Sequence, residues 1–140
     1  MIKLSDGPDR LYIDDSKKDL YEKLKESDIY KDKSNKDLFL ITMSYGFYYQ
    51  MKKSLDKPYG YVRSEYIKEE DWSLIYCLAN TVCSVEILNK PDVVFKLAEE
   101  YANAGINILH DKIYSTEYGS FEKNLEKELM EMYQKIVNRS

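Results

Sequence analysis

The side chains that most often transfer protons or bind metals are scarce in this chain of 140 residues. Histidine is the commonest general base and metal ligand, because small changes in its surroundings move its charge across neutral pH. The single histidine, His110, falls late in an amphipathic run between Leu109 and Asp111, with no cysteine or acid cluster spaced to complete a metal site. It reads as a helix-end cation or a polar surface group. A serine or cysteine nucleophile needs a base within hydrogen-bond reach, and the spacing offers no recognisable partner. Cys77 and Cys83 lie six apart in one apolar segment, a spacing that fits neither a CxxC pair nor a disulfide framework, so they read as reduced core residues. Phosphate-cradling glycine loops and the HExxH pair are lacking too.

The acids are no more promising. Pro8-Asp9 followed by Asp15-Ser16-Lys17 spells part of a metal-dependent nuclease pattern, in which two acids hold magnesium and a lysine stabilises developing charge. That pattern needs its acids on paired strands of a larger sheet. Here both halves fall on one short strand and its exit, where Asp15-Ser16 is better explained as a helix cap. Glu69-Glu70 and Glu99-Glu100 are adjacent pairs, which on a helix point about 100° apart and read as solvated faces. The expectation is therefore no catalytic residue, no metal and no cofactor.

What remains points to binding. Arg10-Leu11-Tyr12-Ile13-Asp14 alternates polar and apolar, the period of a half-buried strand. Two helices follow, which gives residues 10–51 a ribbon-helix-helix order. In that arrangement two chains pair their strands into an antiparallel ribbon whose outward side chains enter the major groove of DNA. Arg10 and Tyr12 would be the readers. Ser34, Asn35 and Lys36, at the free amides of the second helix, would hold a backbone phosphate. The plainer alternative, favoured by the repulsion of Asp14 and Asp15 for phosphate, is an ordinary strand with Ser34 as a cap.

The elements that must position these groups can be read in turn. Ser16-Lys17-Lys18-Asp19 matches the capping box and opens a helix to about Ser27, apolar at Leu20, Tyr21 and Leu24. Ser34-Asn35-Lys36-Asp37 repeats the pattern and opens a helix apolar all round its axis, which must be buried on several sides. In so small a protein a second subunit is a natural cover. Leu38, Ile41, Tyr45, Phe47 and Tyr48 are thus the expected self-association residues of a homo-oligomer. Gly46 in that helix costs about 1 kcal/mol relative to alanine and predicts close backbone packing. Lys57-Pro58-Tyr59-Gly60 signals a turn, and residues 61–67 read as extended chain or loop. Further helices are predicted from Glu69 to about Ser84, from Pro91 through Leu109, and from Phe121 to Ile136 after a break at Gly119-Ser120.

The expected fold is mainly α: a short N-terminal strand followed by about five helices in a single domain, 1–140. Residues 1–9 form a flexible lead, 10–51 the ribbon-helix-helix-like part and 69–137 the helical part. A composition 44% hydrophobic and 33% charged supports one core without disulfides. Fourteen tyrosines suit core and rim packing. A net charge of −4 argues against wholesale nucleic-acid binding, although the bases gather in the first half and 69–100 is acidic. With no apolar run of about 18 residues and no apolar signal region, a cytoplasmic protein without membrane contact is expected.

Some phrases of the chain resemble a known family, Dnd system-associated protein 4, found with genes for DNA phosphorothioate modification and its linked restriction. The likeness begins at Arg10-Leu11-Tyr12-Ile13 and continues through Lys36-Asp37-Leu38 to Ser44-Tyr45-Gly46-Phe47. It is best from Glu99 to Leu109, similar to an EYAN-x-G-x-x-IL phrase in the family. It covers roughly residues 10–113 and departs most between Tyr61 and Ile67. The resemblance implies an accessory of a prokaryotic defence system, with protein partners in a defence complex and double-stranded DNA as a further partner. It implies no active site. A ribbon-helix-helix DNA-binding regulator is the alternative expectation.

Overall fold

A computed structural model of the chain describes residues 9–83, 89–115 and 118–139, with the side chains of 9–83, 89–114 and 125–138. The lead expected over 1–9 lies outside these, apart from Asp9, whose carbonyl accepts a hydrogen bond from the Ser64 amide at 2.8 Å.

The alternation at the N-terminus does form a strand, β1 (Arg10–Asp14), with Leu11 and Ile13 turned into the core. Its partner is not a second chain. β1 pairs antiparallel with β2 (Pro58–Arg63), with Arg10 opposite Arg63, Leu11 opposite Val62 and Tyr12 opposite Gly60. Tyr61 is therefore bulged out, and the irregularity hides the period of two that would have marked β2 in the sequence. The other edge of β1 is blocked as well, since the Tyr12 amide donates to the Glu99 carboxylate at 2.8 Å. β1 thus finds its strand partner within the chain, and the expected strand-helix-helix order stands.

A 3-10 turn (Asp15–Lys17) leads into α1 (Lys18–Glu26), which buries Tyr21 and Leu24. The cap differs from the expected one. Asp14, not Ser16, supplies the acceptor: its carboxylate takes the Ser16 amide at 3.0 Å and the Ser16 hydroxyl. An ionised carboxylate accepts more strongly than a hydroxyl, so aspartate wins the role. α2 (Asn35–Tyr48) starts as predicted, with Ser34 Oγ accepting from the Asp37 amide at 3.2 Å. It ends on Gln50, whose φ of 57° places it in the left-handed region, while the Met51 amide closes back on the Gly46 carbonyl at 2.9 Å.

α3 (Glu69–Val82) and α4 (Pro91–Ser115) begin where acids and proline predict. α5 (Tyr118–Arg139) contains Gly119 and Ser120, so the break expected there is corrected. The centre of the fold is the crossing of α2 over α4. Gly46 faces the Tyr101 carbonyl and Gly105 faces the Thr42 carbonyl so closely that a Cβ on either would overlap backbone. Two glycines thus bring the helix axes together, and the apolar girdle of α2 is met by α4, β2 and α5 of the same chain. Trp72 of α3 stacks on Phe95 of α4 at 4.5 Å. Cys77 is half-buried and Cys83 exposed at the end of α3, which corrects the expectation that both lie in the core. His110 is half-buried against Tyr114, 4.5 Å between ring centres.

The fold is mainly helical with a two-stranded sheet, as expected. Among the described residues no helix is long and apolar enough to cross a membrane.

Candidate functional site

Ser34, Asn35 and Lys36 are brought together with Tyr61, Val62, Arg63 and Tyr66 around a groove of about 510 Å³. Each of the three is already engaged. The Ser34 hydroxyl caps α2. The Asn35 amide donates to the Tyr61 carbonyl at 3.2 Å and its oxygen accepts from Lys25 Nζ, tying β2 and α1 to the start of α2. Lys36 Nζ pairs with Asp71 at 3.0 Å, with both side chains mostly covered. That hydrogen bond raises the Lys36 pKa above the ordinary lysine value. The same Asp71 carboxylate accepts the Lys68 amide at 2.9 Å, so one acid caps α3 and anchors α2. The charge of Lys36 is thus paired within the chain.

Arg10 and Tyr12 fall outside the lining of this groove. Arg10 is exposed and lies across Gly60, where a Cβ would stand 3.0 Å from its Cδ, and Tyr12 packs against the same glycine. The two expected base readers and the three expected phosphate contacts thus lie in two places. Of the residues expected to self-associate, Leu38 and Tyr45 are wholly buried and Phe47 is 4% exposed within this one chain. Ile41 and Tyr48 are half-buried. Within the chain, α4, β2 and α5 pack against α2 and account for this burial.

The site that sequence reasoning missed is the connection from α2 to β2. α4 and β1 reach it with a run of polar side chains. Asn103, 4% exposed, donates to the carbonyls of Lys53 and Ser54 at 3.1 and 3.2 Å. The Glu100 carbonyl accepts from the Lys53 amide at 3.0 Å, and its carboxylate accepts from the Ser54 hydroxyl at 3.2 Å. Asp14 Oδ1 accepts the amides of Asp56 and Lys57 at 2.7 and 2.8 Å. An asparagine inside the apolar face of α4 was the available signal, since a buried amide must find partners. Nothing local in the sequence says where those partners are.

Two acids beside this connection titrate unusually. The Ser16 hydroxyl, then the Lys57 amide, hold the Asp14 carboxyl well below the usual carboxylate range. Burial pushes Glu99 up to about 7, against the opposing pull of the Tyr12 amide. Searched against models of known families, curated proteins and solved structures, the chain finds no match.

Proposed function

We propose that this protein is a non-catalytic accessory of a prokaryotic defence system linked to DNA phosphorothioation, and that it works by docking to protein partners. One observation carries the docking role. The side chains of Ser34, Asn35 and Lys36 are bonded into the scaffold, while Tyr66 and the Arg63 side chain, each 63% exposed, stand on the groove beside α2. Tyrosine and arginine carry a disproportionate share of binding energy where proteins meet. The link to phosphorothioation is supported by the resemblance alone. Its best phrase falls on α4, where Glu99, Glu100, Asn103 and Gly105 hold β1, the connection and α2. These are scaffold duties, in keeping with a family that resembles this chain without a catalytic signature.

The test is deletion of the gene in its host, followed by measurement of phosphorothioate content and of restriction of unmodified DNA. Either should fall and be restored by the wild-type chain but not by the Arg63→Glu, Tyr66→Ala double variant, whose side chains are too exposed to matter for folding. Unchanged modification and restriction would remove the proposal, as would cleavage or modification of DNA by the purified chain alone.

A further inference from the structure

Loops between elements are usually the mobile, variable parts of a surface. The connection Met51–Lys57 is built differently. Its entry is fixed by the left-handed Gln50 and the Met51 to Gly46 bond, and its exit by the Asp15 amide donating to the Lys57 carbonyl at 2.8 Å. Between these, Glu100, Asn103 and Asp14 take up the backbone of Lys53, Ser54, Asp56 and Lys57. A segment without regular structure is thereby held as firmly as a strand.

Several of its side chains reach solvent. Met51 is 54% exposed, and Lys52, Lys53 and Lys57 are exposed. Among the described residues none of these three ammonium groups pairs with an acid, whereas Lys36 and Lys112 form ion pairs and Lys17 and Lys25 bond to asparagines. We infer that Met51–Lys57 is a pre-organised docking ridge for an acidic segment of another protein that carries an apolar side chain. The inference deepens the docking role proposed above and rests on it for the existence of a partner.

Three features select this occupant. The ammonium groups call for carboxylates. Met51 calls for an apolar contact, because methionine adapts to partner surfaces and an apolar centre within a charged rim is the usual anatomy of an interface. A phosphate backbone offers charge about every 3.4 Å along each strand and nothing apolar to meet Met51. The fixed backbone means little conformational freedom is lost on binding.

The experiment uses the full chain labelled with nitrogen-15, a capped octapeptide of alternating glutamate and leucine, and a duplex DNA dodecamer. The peptide should shift the amides of residues 51–57, with affinity falling about tenfold from low to high salt. The shifts should vanish in the Lys52→Glu, Lys53→Glu, Lys57→Glu variant and weaken several-fold in Met51→Ser, both retaining the wild-type melting temperature. Amides that do not move, or that move equally in the charge-reversed variant, overturn the inference; so does tighter binding of the duplex at the same residues. Failure here beside the expected loss of function in the deletion host removes the ridge and leaves the docking role, whereas a working ridge without a host phenotype leaves the docking and removes its link to phosphorothioation.

Discussion

Asp14, the last residue of β1, and Glu99, which bonds its Tyr12 amide, respond to pH in opposite senses. The Asp14 carboxylate accepts from the Ser16 amide and hydroxyl and from the amides of Asp56 and Lys57, so its charged form belongs to the folded state. A carboxyl depressed on folding contributes stability that is complete above its unfolded pKa, near about 4, and is lost as pH falls towards the lower folded value. Asp14→Ala leaves several amides without a partner and should cost about 2 kcal/mol in urea unfolding at neutral pH, with a smaller cost in strong acid. Glu99 is the reverse case. Its pKa rises from the ordinary 4.5 to about 7, so the folded chain holds a proton that the unfolded chain has released between those values. Stability therefore declines as pH rises through that window. Glu99→Gln keeps an acceptor for the Tyr12 amide but cannot titrate, and its melting temperature should be flatter than wild type between pH 4.5 and 7. An unchanged slope would mean that Glu99 is better solvated than its half-buried position implies.

Among the elements, α2 and α4 depend on each other most closely, and their glycines are the point of contact. Replacing Gly105 with alanine gains about 1 kcal/mol of helix propensity. It also places a methyl group on the Thr42 carbonyl, and separating two packed helices costs more than that gain. Gly105→Ala should therefore lower stability by roughly 2 kcal/mol or more in denaturant unfolding, with Gly46→Ala similar. The close approach at Gly46 was legible, because a glycine in so apolar a helix has little other reason to be there. Its partner helix was not, because periodicity marks a face without saying what meets it. α5 is held differently. Leu125, Met132 and Ile136 are buried, and beside them Glu128 accepts from Lys112 at 2.8 Å and from the Tyr49 hydroxyl at 3.2 Å. Burial, reinforced by the Glu128 charge, keeps the nearby Tyr30 and Tyr45 hydroxyls protonated well above the usual tyrosine pKa. Glu128→Ala removes the acceptor shared by the Lys112 ammonium and the Tyr49 hydroxyl and should cost about 1 kcal/mol. Combining it with Lys112→Met should recover part of that loss in a double-mutant cycle.

At the scale of the whole molecule, the elements were largely legible and their pairings were not. Helix starts at Ser34, Glu69 and Pro91 announced themselves through caps, acids and proline, which act within one turn. β1 was visible by its alternation, but its partner lies far along the chain, behind a bulge at Tyr61 and a glycine at 60. The intrachain cover for α2 was hidden for the same reason: it comes from α4, more than forty residues downstream. A fold closed by such distant contacts should open as a unit at its centre and only locally at its margins. Amide hydrogen exchange on the full chain should show the facing stretches of α2 and α4 as the last to exchange, near the global unfolding limit. The amides of Lys53, Asp56 and Lys57 should be slow for a segment outside regular structure, because carbonyl or carboxylate oxygens of α4 and β1 hold each of them. Asn103→Ala should speed exchange at Lys53 while leaving Asp56 and Lys57, which answer to Asp14, nearly unchanged. Equal acceleration at all three would show that the connection moves as one piece with α4; no protection at any of them in the wild type would remove both the pinned loop and the ridge built on it.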